Sequence, residues 1–364
     1  MRDSLNARHF KVSGNKNNMF KHEALFYELT GEDNKVHCFL CPHHCKIAPG
    51  KLGFCGVRKN TDGKLYSLIY GCVSSACTDP IEKKPLYHFW PGSLVYSIGS
   101  LGCNMRCGDC QNWQIAHVRL EQTSVRTTPL SPEELVNYAK KSQCQGIAWT
   151  YNEPSIWMEY AIDGAKLAKA QGLYTVFVTN GYVGLEALDA IGPYLDAFRV
   201  DFKGRIDGSR FYKEVAKIKN PKPILEAVTR AKKKWNMHVE IITNVVPGYN
   251  DSPEELRDIA RTILENLGKE TPWHVTRFFP YLELGHLSPT PVEKLEEARE
   301  IGLATGLEFV YLGNVPDHPG EHTYCNKCGK AVIERMGYYV SIHGLEDKQC
   351  KFCGNPLPIV GEIL

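Results

Sequence analysis

Between Leu94 and about Val315, short runs of β-branched and aromatic residues alternate with longer amphipathic segments. That alternation marks βα units on a parallel sheet. It predicts strands over 94–99, 146–151, 174–179, 197–203, 238–246, 273–280 and 307–312. The helices between them have marked starts. Ser131-Pro-Glu-Glu134, Ser252-Pro-Glu-Glu255 and Thr290-Pro-Val-Glu293 each join an N-cap hydroxyl to proline at the first helical position and glutamate at the third. Six or seven such repeats predict an α/β fold with a partial (β/α)6-type TIM barrel. Barrels of this kind carry their sites at the carboxyl ends of the strands, so the polar residue just past each strand is where chemistry is expected.

Outside the repeats the pattern changes. Residues 1 to about 35 are polar and weakly patterned, apart from His22-Glu-Ala-Leu-Phe-Tyr27, which reads as a short helix. Residues 64–92 read as short strands and turns ending in Asp79-Pro-Ile-Glu-Lys-Lys-Pro-Leu-Tyr-His-Phe-Trp-Pro-Gly92, whose three prolines exclude a helix. This stretch is expected either to lie as an extended arm over the barrel entrance, bringing Lys83, Lys84 and His88 near the site, or to be a packed connector. Pro316-Asp-His-Pro-Gly-Glu-His322 reads as a linker. The division expected is a cysteine-bearing N-terminal region over 1–92, the barrel over 93–316 and a C-terminal module over 317–364.

Composition permits this. The chain has 364 residues, 43% hydrophobic and 23% charged, enough for two or three globular domains. Its formal charge of +2, with both signs mixed along the chain, leaves no polybasic patch for nucleic acid or an anionic membrane. No apolar run approaches the ~18 residues that span a bilayer, and Met1-Arg-Asp-Ser-Leu-Asn-Ala-Arg8 lacks the apolar centre of a signal peptide. A cytoplasmic location is expected.

Of fourteen cysteines, eleven fall into three tight groups, which in a reducing compartment points to metal binding over disulfides. Cys72, Cys77 and Cys144 stand apart and are expected to be small buried hydrophobes. The first group, Cys38-Phe-Leu-Cys41-Pro-His-His-Cys45 with Cys55 in Gly53-Phe-Cys55-Gly, can close around one metal ion or one cluster. His37, His43 and His44 are alternative ligands. The last group, Cys325-Asn-Lys-Cys328-Gly and Cys350-Lys-Phe-Cys353-Gly, is a pair of C-x2-C knuckles. It predicts a zinc ribbon, or a rubredoxin-like iron site able to carry electrons.

The middle group differs. Cys103, Cys107 and Cys110 in Ser100-Leu-Gly-Cys-Asn-Met-Arg-Cys-Gly-Asp-Cys110 have C-x3-C-x2-C spacing. Iron–sulfur clusters usually take four cysteines, so three leave one iron of a [4Fe–4S] cluster open to a non-protein ligand. The alternatives are a zinc knuckle, which normally wants four protein ligands, or inert thiols. The spacing, directly after the apolar run Leu94–Ile98, resembles the radical S-adenosylmethionine (SAM) superfamily. There the open iron binds the amino and carboxylate groups of SAM, and one electron cleaves the sulfonium to a 5′-deoxyadenosyl radical.

The strand ends are consistent with such a ligand: Thr150-Tyr-Asn152-Glu153-Pro154, Thr179-Asn180-Gly181, Asp201-Phe-Lys203, Thr243-Asn244 and Phe279-Pro-Tyr281. Carboxylates suit an ammonium group and a lysine suits a carboxylate. With Val246-Pro-Gly-Tyr-Asn-Asp251, these motifs resemble the activating enzymes of pyruvate formate-lyase. The flanks, Cys-x-Leu-Cys-Pro, Gly-x-Cys-Gly-Val-Arg, Asp-Pro-Ile-Glu-Lys-Lys-Pro-Leu, Cys-Gln-Asn-Trp, Thr-Tyr-Asn-Glu-Pro and the terminal four cysteines, are similar to the AmmeMemoRadiSam radical SAM family over about residues 36–360. By that resemblance Glu153 takes the SAM amino group, Asp201 and Lys203 lie along SAM, and Asn180 and Asn244 border it, with Asn152 and Thr179 at the same strand ends. One departure is Asp109, where the superfamily often has an aromatic near the adenine; Met105 or Trp113 is the candidate replacement.

The resemblance implies a radical SAM enzyme served by an external electron donor. Its substrate is a protein backbone, as for a glycyl-radical enzyme activase, or a small molecule or partner side chain, with Memo-type partners. A non-catalytic metal-bound scaffold is the alternative from another class.

Overall fold

A computed structural model describes residues 20–31, 33–120 and 123–363. The start of the chain, including most of the polar segment and the stretch read for a signal peptide, lies outside the described residues. Seven parallel strands run in chain order across one sheet: β2 (Leu94–Gly99), β3 (Gly146–Trp149), β4 (Tyr174–Thr179), β5 (Ala197–Asp201), β6 (His238–Val245), β7 (Trp273–Arg277) and β8 (Val310–Gly313). An eighth, β1 (Ser75–Pro80), pairs antiparallel with β2 at the sheet edge. The sheet fits a partial barrel, with six crossover connections carrying α1 (Pro132–Lys141), α2 (Met158–Ala170), α3 (Leu185–Ile191), α4 (Lys222–Lys233), α5 (Pro253–Leu267) and α6 (Val292–Thr305). The antiparallel edge strand falls in the stretch 64–92 read as short strands and turns.

Two of the three expected helix caps form. The Ser131 side chain accepts from Glu134 N–H in a full capping box, and the Ser252 side chain accepts from Glu255 N–H. The third does not. The Thr290 hydroxyl accepts from Phe278 N–H at 3.1 Å and donates to the Val245 carbonyl, tying two strand ends together, and α6 starts after Pro291 without a side-chain cap. The segment His22–Tyr27 is also not a helix: His22–Glu23 pairs with Tyr66–Ser67, and Tyr27–Thr30 pairs with Lys35–Cys38. Available strand partners outweigh a helix too short to propagate.

The proline-rich segment does not lie over the entrance; it is the packed connector, the other of the two places expected for it. After β1 it crosses the amino-terminal end of the barrel, opposite the cysteine loop. Leu86 and Phe89 pack there with Val95, Ala148, Val176 and Ala197. Glu240, fully buried near the start of β6, accepts from Tyr87 N–H at 2.9 Å, His88 N–H at 2.8 Å, His238 at 2.9 Å and His274 at 2.6 Å. Burial opposes its charge, but His238 and His274 outweigh that and hold the carboxyl well below its ordinary value. His88 is sealed beneath the Tyr311 hydroxyl at 2.6 Å. Lys84 points inward to Asp79 at 2.6 Å, while Lys83 is half exposed.

The C-terminal module docks on this same end. Tyr87, Phe309 and Tyr311 pack with Cys325, Val332, Ile333 and Cys350, and buried Arg335 donates to the Tyr87 carbonyl at 2.9 Å. The strands of the sheet, four to eight residues long, therefore lie between the module and the mouth. Cys72 and Cys144 are buried as expected, but Cys77, on the edge strand β1, is exposed.

Glu240→Leu is expected to lower the unfolding free energy by about 3–5 kcal/mol, because it strands several buried donors at once. Denaturant titration reads this, and an unshifted midpoint would show that the plug does not hold the barrel end.

Candidate active site

The loop after β2 is clamped before it carries any chemistry. Asn152, just past β3, accepts from Ser100 N–H at 3.0 Å and donates to the Gly102 carbonyl at 2.9 Å. The Ser100 hydroxyl donates to the Cys72 carbonyl at 2.6 Å, and Gly108 N–H donates to Val215 O at 3.0 Å. Gly102 has a φ of +85°, and a Cβ there would lie 2.7 Å from the Cys55 carbonyl oxygen. Glycine is required on both counts. Between these fixed points Cys103, Cys107 and Cys110 are half buried on one short loop at the barrel mouth.

The strand ends surround this loop. Glu153 is 2% exposed and ties its turn to β4: Oε1 accepts from Ser155 N–H at 2.9 Å and Thr179 Oγ1 at 2.7 Å, and Oε2 accepts from Asn180 N–H at 2.8 Å. Burial raises its carboxyl above the ordinary value, opposed by those donors. Asn180 donates to Asn104 Oδ1 at 2.8 Å and approaches Cys103 Sγ at 3.8 Å. Asn152 and Thr179 thus position the loop and Glu153.

Across the mouth, Asp201 is paired with Arg199 and with Lys203 Nζ at 2.7 Å. Burial opposes the Asp201 charge, yet the two cations outweigh it and hold the carboxyl below its usual range. Asp109 is raised by burial, offset by Lys203 and by a hydrogen bond from Asn244. Lys203 therefore faces Asp201, Cys107 and Asp109 together, and they raise its ammonium against the cost of burial. Asn250 fastens the turn after β6, donating to Lys203 O at 2.9 Å and Asn244 O at 2.8 Å. Met105 is in the core and not free to meet a ligand, whereas Trp113 is exposed.

Arg199 and Asn104 were not among the residues expected from sequence. Arg199 had a signal: it shares the inner face of β5 with Asp201 by strand alternation. Asn104 had none, because its partners Asn180 and Tyr182 come from another strand end.

The three cysteine groups differ in spacing. Cys325 and Cys353 sulfurs lie 3.7 Å apart and Cys328 and Cys350 sulfurs 3.6 Å, with all four within 4.8 Å of one another. A tetrahedral ion with metal–sulfur bonds of about 2.3 Å sets its sulfurs about 3.8 Å apart, so this group fits a single metal ion. Among the described residues no other such set closes to 4.8 Å. The mouth trio is more open, as thiolates that each hold a different iron of a cluster must be. Its donor set of three thiols without a fourth fits a [4Fe–4S] cluster with one open iron. His43 is engaged with the Asn104 carbonyl at 2.7 Å, and His37 with Glu28 and His44, so the three histidines are occupied elsewhere.

The family model described as the radical SAM superfamily matches residues 97–263. An uncharacterized protein of Methanocaldococcus jannaschii is 44% identical over 340 residues, covering 93% of this chain and 99% of that one. The pyruvate formate-lyase-activating enzyme of Clostridium pasteurianum is 29% identical over 198 residues, 50% of this chain and 74% of that one. The 4-hydroxyphenylacetate decarboxylase activating enzyme of Clostridioides difficile is 23% identical over 227 residues, 57% and 70% respectively.

Asn152→Ala is expected to cost about 1–3 kcal/mol in stability through its two lost hydrogen bonds and to speed the loss of iron from the reconstituted protein to a chelator. Iron release at the wild-type rate would show that the clamp does not hold the loop.

Proposed function

Because the chain belongs to the radical SAM superfamily, we propose that it reductively cleaves SAM at the barrel mouth and uses the radical to take hydrogen from a substrate. One observation carries this reading: Cys103, Cys107 and Cys110 share a clamped loop ringed by Glu153, Asp201 and Lys203. Cys103, Cys107 and Cys110 would hold the cluster, which would supply the one electron needed to cleave the sulfonium to methionine and a 5′-deoxyadenosyl radical. The chain's own groups bind and orient. Glu153 Oε2 accepts one hydrogen bond within the protein, which leaves it capacity for the SAM ammonium. Lys203 offers a cation to the SAM carboxylate, and Asn180 and Asn244 border the ligand.

The substrate is read more coarsely. The activase names borne by the relatives favour a protein substrate and a one-electron donor. The flanking motifs favour the AmmeMemoRadiSam family and a Memo-type partner. The spacing of Cys325, Cys328, Cys350 and Cys353 favours structural zinc in a ribbon-like module, and its docking at the far end of the barrel speaks against a role in electron flow. A cytoplasmic location is favoured by the mixed charge along the chain; no helix among the described residues is long and apolar enough to cross a membrane.

Anaerobically reconstituted and reduced, the protein is expected to turn SAM into methionine and 5′-deoxyadenosine, and alanine at Cys103, Cys107 or Cys110 to abolish this. Cleavage at the wild-type rate by all three variants would refute the reading. Glu153→Gln is expected to weaken SAM binding by about 1.5–3 kcal/mol, roughly ten- to a hundred-fold, measured by calorimetry; unchanged affinity would remove Glu153 from the site. Cys325→Ala with Cys328→Ala is expected to lose one zinc per chain while SAM cleavage persists, whereas loss of cleavage in a folded variant would tie this metal to catalysis.

A further inference from the structure

We propose that Cys38, Cys41, Cys45 and Cys55 hold a second iron–sulfur cluster of the four-iron cubane class, set against the wall of the catalytic loop. The three cysteine groups calibrate one another. The C-terminal four close to the spacing of one tetrahedral ion, whereas neither the mouth trio nor any three of the N-terminal four come within 4.8 Å of one another among the described residues. The N-terminal group therefore sorts with the cluster-type trio and not with the single-ion site.

Its surroundings are built for such a ligand. Cys38 and Cys45 face each other across an antiparallel strand pair, and Cys41 and Cys55 come from the two turns beside it. The four line a small apolar hollow with Leu40, Ile47 and Ile156. Arg58 also lines the hollow and is 1% exposed. Its two terminal nitrogens are used on Leu25 O and Glu159, but its Nε has no partner. A buried donor left unpaired is costly; the thiolates and sulfides of a cluster offer it acceptors that an apolar hollow does not.

The site shares a wall with the catalytic loop. The Cys55 carbonyl abuts Gly102, the neighbour of Cys103. His43, between Cys41 and Cys45, donates to the Asn104 carbonyl at 2.7 Å and stacks on Phe54 at 4.1 Å. Arg106 of the catalytic loop in turn donates to the Phe54 carbonyl at 2.6 Å.

The test uses the full chain with Cys103→Ala, Cys107→Ala and Cys110→Ala, so that the catalytic loop holds no iron, reconstituted anaerobically with ferrous iron and sulfide. About four irons and four acid-labile sulfides per chain are expected, as for one [4Fe–4S] cluster. Reduction with dithionite is expected to give an electron paramagnetic resonance signal that SAM does not alter. Adding Cys41→Ser and Cys45→Ser is expected to remove iron, sulfide and signal together. Two zincs per chain with no sulfide in the first variant would overturn the proposal, and that count decides even if the second variant fails to fold. Should the wild type fail to cleave SAM while the first variant keeps its iron and sulfide, the enzymatic reading falls and the second cluster stands.

Discussion

The buried carboxylate of Glu240 decides which end of this barrel can do chemistry. A parallel sheet rolled into a partial barrel has two open ends, and leaving both wet would expose the polar inner faces of its strands. Here the amino-terminal end is closed by a proline-rich segment whose one helical turn is the short 3-10 stretch Ile81–Lys83. The N–H groups of Tyr87 and His88 are gathered by Glu240 together with His238 and His274. The C-terminal module then covers that plug through Arg335, Tyr87 and Tyr311. With that end sealed, the carboxyl end is left for ligands, as barrel folds in general arrange.

At the open end, the same economy of fixed hydrogen bonds positions groups that would otherwise repel. Asp109 and Asp201 face the mouth beside three thiols that become thiolates on binding iron, a concentration of negative charge that Lys203 and Arg199 offset. Asn152 holds the loop from past β3, Asn180 holds it from past β4 through Asn104 on the loop itself, and Asn250 fastens the turn after β6 beside Lys203. Asparagine serves here because one amide both donates and accepts, so it can bridge two backbone segments without adding charge to a crowded site.

Much of this was legible in the residue pattern. The seven parallel strands and the caps at Ser131 and Ser252 follow from local periodicity and capping chemistry, and the mouth trio from spacing alone. What was not legible depended on partners distant in sequence. Thr290 looks like a cap but is claimed by Val245 and Phe278. The edge strand Ser75–Pro80 is polar because it is half open to solvent, so it lacks the apolar signature of its neighbours. The proline-rich segment was readable as an arm or a packed connector, but nothing local says which end of a barrel it will cross; Glu240, about 150 residues away, sets that. Asn152 and Thr179, expected as ligand contacts, spend their hydrogen bonds on the loop and on Glu153, a distinction between touching a ligand and holding what touches it that only geometry resolves.

The claim on which the account rests is that the mouth trio leaves one iron open to SAM. It is tested most directly by electron–nuclear double resonance on the reduced protein bound to SAM carrying nitrogen-15 in its amino group. Direct ligation of the open iron requires a strong nitrogen-15 coupling in the wild type that is absent when Cys103, Cys107 and Cys110 are replaced. A reduced, SAM-saturated cluster showing no such coupling would contradict the account at its centre.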